Sequence, residues 1–176
     1  MAVLPELWDL SFYPPDVYDL ADEEGRQAQA FLQDLASSCH IQLIGGSIVR
    51  RHDGCLYNTT YIVDEEVNRV SSYDKCHLFT PGGEEKVFAS GDHLNTFFLG
   101  DILMASITCY DLRFGEWVRM AALAGARILF VPAAWPHPDW LIGRYSIGPG
   151  LLRTSSSSSP STVAVPAVTT ASAAIL

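Results

Sequence analysis

Basic residues are the first shortage in this 176-residue chain: 11 Lys and Arg stand against 20 Asp and Glu, a formal net charge of -9 with neutral His. That balance repels phosphate backbones and anionic lipid headgroups, so neither nucleic acid nor a membrane surface is expected as a partner. Cysteine is sparse as well. Its four positions, 39, 55, 76 and 109, include no closely spaced pair, which argues against a zinc site and against a disulfide scaffold. Reduced thiols in a cytoplasmic protein are the expectation. No apolar run reaches membrane-spanning length, because the stretch from Thr162 to Leu176 is broken by Pro166 and several threonines. The opening Met1-Ala2-Val3-Leu4-Pro5-Glu6 lacks the basic and apolar regions of a signal peptide. What remains, 48% hydrophobic and 18% charged residues, suits one domain with one core.

Periodicity supplies the elements. Asp22-Glu23-Glu24 places acidic groups where a helix would start, and Ala28, Phe31, Leu32 and Leu35 recur at helical spacing through about Ser38. Gly25 is expected to weaken that helix locally. Ile41 to Val49 reads as a strand with a tight backbone approach at Gly45-Gly46, and His52-Asp53-Gly54 as a turn. Leu56 to Val63 returns as a strand, Val67 to Tyr73 continues or pairs with it, and Lys75 to Gly91 forms a folded loop. Ile102 to Thr108 predicts a central strand, Glu116 to Ala124 a helix, and Arg127 to Val131 a buried strand ended by Pro132. Helix and sheet alternate, which gives an α/β, or layered α+β, domain.

Few residues invite chemistry on their own. Cys109 follows the strand ending at Thr108, where a thiol could meet a substrate beside backbone N–H groups; a buried inert cysteine fits the same pattern. Lys75, in Tyr73-Asp74-Lys75-Cys76-His77-Leu78-Phe79, is a solvated surface lysine or a partly buried ammonium. His77 reads as a general base or a hydrogen-bonded structural histidine. Glu6, between Pro5 and Trp8, is ordinary unless its neighbours fold it into a pocket.

Three separated segments together carry more. LPELW at Leu4 to Trp8, YDKCHLF at Tyr73 to Phe79 and CYDLRFGEW at Cys109 to Trp117 resemble the glutamate, lysine and nucleophile motifs of the nitrilase superfamily of carbon–nitrogen hydrolases. GGSIV at 45–49, YNTTYIVD at 57–64 and GARILFVPAAWP at 125–136 support the resemblance, which covers residues 3–140. It implies a four-layer α-β-β-α sandwich, here partial, over residues 1–140. It also implies Cys109 as nucleophile, Glu6 as general base and acid, Lys75 as oxyanion stabiliser and Glu84 as auxiliary glutamate, with Glu85 the alternative. Tyr110, through its backbone N–H, Arg113 and Trp135 fall to the substrate and oxyanion side, and His77 returns to a structural role. Arg113 serves equally as a clamp for a substrate carboxylate or in a structural salt bridge.

The implied reaction is amide hydrolysis through a cysteine thioester, and no metal or other cofactor is required because an ammonium supplies the electrophilic charge. CYDLRF with Glu116-Trp117 and the later PAAWP resembles the omega-amidase-like group, whose substrates are ω-amides of dicarboxylates. Nitrile or N-carbamoyl hydrolysis, or an inactive truncated isoform that only binds a partner, are the alternatives. A homodimer through the helix after Cys109 is the implied assembly. Two departures stand out. Gly115 replaces the family's usual proline after CYDxRF, and the usual glycine after LPExW is absent.

The chain changes character near its end. Residues 151–176 hold one charged residue, Arg153, no aromatic, and five consecutive serines from Ser155 to Ser159. Such text poorly specifies a core, and residues 141–176 are expected to be disordered or non-native. With suitably chosen codons, family-like text RARAAENQFFVVAVNRCG read one base out of frame becomes GPGLLRTSSSSSPSTVAV, which is residues Gly148 to Val165. An out-of-frame tail on a domain truncated at both ends is the resulting expectation.

Overall fold

A computed structural model of the chain describes residues 1–11, 14–64 and 68–134. The expected tail, 141–176, and Trp135 lie outside the described residues. Two sheets pack face to face. The first has the order β1 (Ala2–Val3), β3 (Leu43–His52), β4 (Cys55–Asp64), β5 (Asn68–Asp74), with β2 (Asp22–Glu23) also paired to β3. The second joins β6 (Asn95–Leu99), β7 (Ile102–Ser106) and β8 (Ile128–Phe130). Among the described residues three helices accompany them: the short α1 (Val17–Leu20), α2 (Arg26–Cys39) and α3 (Gly115–Leu123).

The burial pattern explains the layering. Ala28, Leu32 and Ala36 of α2 pack on Leu43, Ile48, Tyr61 and Val63 from the outer face of the first sheet. From the opposite face, Ile44 and Ile62 meet Phe97, Leu99, Met104 and Phe130 of the second sheet. Ala121 of α3 closes the far side against Ala105, Ile107 and Leu129. The result is helix, sheet, sheet, helix, the α-β-β-α sandwich that the motifs implied. Each fully buried Leu or Ile contributes about 1.5–3 kcal/mol by leaving water.

Details of the first sheet depend on two glycine positions. The β3–β4 register slips between Ile44 and Ser47, a bulge that lets Leu43 and Ile48 share a face despite an odd separation. Gly46 has φ +60, and a Cβ there would sit 2.1 Å from the Pro5 carbonyl oxygen; the tight approach expected at these glycines is the crossing of the Leu4-Pro5 segment. Gly25 corrects an expectation. It does not weaken α2 from within but precedes it in a left-handed conformation at φ +64. The Asp22 carboxylate caps the first turn, accepting from the backbone N–H of Gln27 (3.2 Å) and Ala28 (2.8 Å).

Other expectations shift less. Phe31 lies half-exposed at the edge of α2, its ring 5.6 Å from that of Trp8. The turn at Asp53-Gly54 has both residues at positive φ, 47° and 77°, as a two-residue hairpin connection requires. The loop after Lys75 is folded by 3-10 turns at Thr80–Gly82 and Glu84–Lys86. Strand β6 was not anticipated. Its side chains alternate buried and exposed, from Asn95 inward to Leu99 inward.

Candidate active site

The site forms where the ends of both sheets meet. Beyond β1 the chain crosses the glycine bulge, held by Ser47 N–H to the Pro5 carbonyl (3.1 Å) and Leu7 N–H to Ser47 Oγ (3.0 Å). This crossing aims Glu6 inward, 5% exposed. Strand β5 pairs with β4 so that Thr59 faces Asp74. The next residue, Lys75, is tied through its N–H to the Asn58 carbonyl at 2.9 Å. Its ammonium is buried, 1% exposed.

Four side chains then close a ring. Lys75 Nζ lies 2.8 Å from Glu6 Oε1 and 2.8 Å from Glu84 Oε2. Opposite it, Asn58 Nδ2 donates to Glu6 Oε1 at 3.0 Å and to Glu84 Oε1 at 2.9 Å. The Phe79 N–H also donates to Glu84 Oε2. Glu85, the alternative to Glu84, is exposed. Burial works against the charge on Lys75, but Glu6, Cys109 and Glu84 outweigh it and hold its pKa above the ordinary lysine value.

Cys109 enters from the second sheet. Ile107 continues β7 by donating to the Phe130 carbonyl (3.0 Å), and the Cys109 N–H donates to the Pro132 carbonyl (2.9 Å). Cys109 then adopts φ +46 and opens the 3-10 turn Cys109–Arg113. A positive φ on a non-glycine residue is uncommon and clusters at functional sites. Glu6 and the Ala134 backbone lie beside the thiol and act on its charge in opposite directions. Burial, then the Glu6 carboxylate, push its pKa well above the ordinary thiol value, with Lys75 opposing them. The resting sulfur is therefore a thiol, beside a group able to take its proton. Ala134 N–H also donates to Glu6 Oε2 at 3.1 Å.

A second polar node locks the two motifs together. Asp111 is fully buried and accepts from Tyr73 Oη (2.7 Å), Thr108 N–H (2.9 Å) and His77 N–H (2.8 Å). The His77 ring, with Nδ1 2.8 Å from the same carboxylate, stacks on Phe114 at 3.8 Å between centroids. Tyr73 and His77 flank Lys75, so Asp111 fixes the lysine segment to the turn that carries Cys109. His77 thus packs on Phe114 and hydrogen-bonds Asp111.

The structure brings Glu6, Lys75, Glu84 and Cys109 together. Tyr110 is half-buried beside them, its ring 5.1 Å from Phe79 and 5.7 Å from Phe114. Arg113 is exposed at the end of its turn. Sequence reasoning missed Asn58, Asp111 and Ala134. For Asn58 a signal existed: an amide on the inward face of a strand whose next inward residues are Thr60 and Ile62. Among the described residues, no group of three or more His, Cys, Asp and Glu could hold a metal ion. No described helix is long and apolar enough to cross a membrane.

The layered frame defines a nitrilase-type α/β protein. The chain belongs to the carbon–nitrogen hydrolase family, which matches residues 1–146. It is 38% identical to the 2-oxoglutaramate amidase of Bacillus subtilis (strain 168) over 136 residues, 77% of this chain and 52% of that protein. Human omega-amidase NIT2 is 31% identical over 139 residues, 75% of this chain and 50% of that one. Among solved structures, Saccharomyces cerevisiae Nit3, a member of branch 10 of the nitrilase superfamily, superposes with a TM-score of 0.69 at 27% identity, covering 82% of this chain and 56% of that one. The chain spans about half the length of the curated relatives it matches.

Proposed function

We propose that this protein hydrolyses a small ω-amide of a dicarboxylate to a carboxylate and ammonia through a thioester on Cys109. The carrying observation is that one buried ammonium, Lys75, sits 2.8 Å from Glu6, while the Glu6 carboxylate lies beside the Cys109 thiol and acts on its charge. In this reading Glu6 takes the proton from the sulfur, and the thiolate attacks the amide carbonyl carbon. Negative charge then develops on the carbonyl oxygen, facing Lys75 Nζ and the Tyr110 N–H. Glu6 returns the proton to the departing nitrogen, which leaves as ammonia with a thioester on sulfur. Glu6 next draws a proton from water, which attacks the thioester; the C–S bond breaks, the acid leaves and the thiol is restored. Glu84 is the second carboxylate that holds the Lys75 ammonium, at 2.8 Å.

The substrate class is supported by the names of the relatives, 2-oxoglutaramate amidase and omega-amidase. Arg113 and Trp135 are proposed for the substrate side, Arg113 as the partner of the distal carboxylate. A homodimer through α3 is proposed from its exposed Met120 and Leu123, beside exposed Phe114. A cytoplasmic location is proposed from four free cysteines. Ammonia release from 2-oxoglutaramate, a nitrile and an N-carbamoyl amino acid tests the reading. Release from the first alone is expected; turnover of the nitrile or N-carbamoyl compound without 2-oxoglutaramate would overturn it.

A further inference from the structure

The Asn58 side chain is fully buried and touches both carboxylates of the ring. Carboxylate oxygens accept and do not donate, so the end of the amide that faces Glu6 and Glu84 is the NH2 group. Each of its two protons serves one carboxylate, at 3.0 Å and 2.9 Å. The other end, Oδ1, is buried and has no hydrogen-bond partner among the described residues. A buried acceptor left unpaired costs about 1–3 kcal/mol. The sequence keeps that cost where Leu would remove it, which marks the two donated bonds as the reason for the amide.

Without Asn58, two buried carboxylates would share a single ammonium. Lys75 reaches Glu6 and Glu84 from one side only, and each glutamate would keep just one further donor, a backbone N–H from Ala134 or Phe79. Asn58 pins the second side. It uses Glu6 Oε1, the oxygen Lys75 also binds, and so leaves Glu6 Oε2 with the Ala134 N–H. The amide supplies donors without adding charge. An aspartate of the same shape would bring a third carboxylate to the ring and remove both donors.

Resting on the proposed role of Cys109 and Glu6, we infer that Asn58 is a positioning residue that fixes the Glu6 and Glu84 carboxylates around Lys75 and thereby sets the reactivity of the Cys109 thiol. Its strand also carries the backbone carbonyl that receives Lys75 N–H, so one residue registers both partners of the ion pair. Asn58 does not touch the reacting carbonyl.

Iodoacetamide labelling of the full chain across pH, read residue by residue by peptide mass spectrometry, tests this without any amide substrate. Cys39 and Cys55 are exposed and serve as internal references. For Asn58→Asp, the midpoint of Cys109 labelling should rise by at least about one pH unit, equivalent to a tenfold loss below the midpoint, with Cys39 and Cys55 unchanged. Asn58→Leu removes the donors and adds no charge; it should slow Cys109 labelling at least about tenfold at neutral pH, with a smaller midpoint shift than Asn58→Asp. A folded Asn58→Asp that labels like the wild type overturns the inference. If Asn58→Asp fails to fold, Asn58→Leu decides: wild-type labelling overturns it, selective slowing at Cys109 supports it. A folded wild-type chain whose Cys109 never labels instead removes the active-site reading on which the inference rests.

Discussion

The first sheet brings Glu6, Asn58, Lys75 and Glu84 to the site, and these four position one another through charge and hydrogen bonds. The second brings one reactive side chain, the Cys109 sulfur, besides the Ala134 N–H on Glu6, and the backbone positions that sulfur: Cys109 N–H on the Pro132 carbonyl and a left-handed φ at the turn. The two strategies fail differently. A ring of buried ions loses more than one contact when a member is removed, because the survivors stay desolvated and unpaired. A side chain held by its own backbone can be exchanged for a small one while the fold persists. Function on the second side should therefore separate cleanly from stability, and on the first side it should not.

Replacing Cys109 by Ala gives the largest expected effect. Ammonia release should fall by about 10⁴-fold or more, while the circular dichroism spectrum and melting temperature stay close to wild type. Unfolding of Cys109→Ala would break the contrast. Lys75→Met comes next. It leaves Glu6 and Glu84 facing each other across Asn58, and urea denaturation should show a loss of about 3–5 kcal/mol together with lost turnover. If Lys75→Met is as stable as the wild type, the ring does not hold the site as described.

A smaller effect lies in pH. The folded thiol of Cys109 keeps its proton above the ordinary value of 9.0, where the unfolded thiol ionises. The unfolded state then binds fewer protons than the folded one, so stability is fully present below that range and falls as pH rises through it. Tyr73 and Lys75, whose pKa values are also raised, add to the fall at higher pH. Unfolding free energies from urea titrations between pH 8 and 10 should decline by up to about 1.4 kcal/mol per pH unit from Cys109, and Cys109→Ala should flatten the lower part of that slope. The least change is expected at Gly115, the first residue of α3 with open space at its Cβ position. Phe114 before it is extended enough to precede proline, at φ -98 and ψ 90. Gly115→Pro should therefore stabilise by about 0.4–1 kcal/mol, seen as a higher melting temperature without altered turnover.

The two sides were also unequally legible in the sequence. Glu6, Lys75 and Cys109 could be named because each sits in a short motif whose spacing is local. The 14-residue helix α2 could be placed because its apolar residues repeat at the right period, and β3, β4 and β7 because short runs rich in apolar and branched residues are bounded by turn signals. Asn58 could be placed on an inward strand face but given no role, since its importance comes from being opposite Lys75 across a strand pairing and near Glu6 across the bulge. Asp111 likewise gains its role from residues 34 and 38 positions away in sequence. Strand β6 escaped because five residues reading Asn95-Thr96-Phe97-Phe98-Leu99 put a polar group on the buried face and Phe98 on the exposed one. Gly25 was misread for a similar reason: its constraint is the Tyr61 hydroxyl, 1.9 Å from where a Cβ would lie, and nothing nearby in sequence announces it.

The meeting of one carboxylate, one ammonium and one sulfur is tested most directly by mass. The full chain is mixed with 2-oxoglutaramate, quenched in acid within the first turnovers, and weighed intact before peptide mapping. An acyl adduct on Cys109 is expected in the wild type and absent from Glu6→Gln. A folded wild-type chain that carries no adduct, or carries it on Cys39, Cys55 or Cys76, would contradict the account.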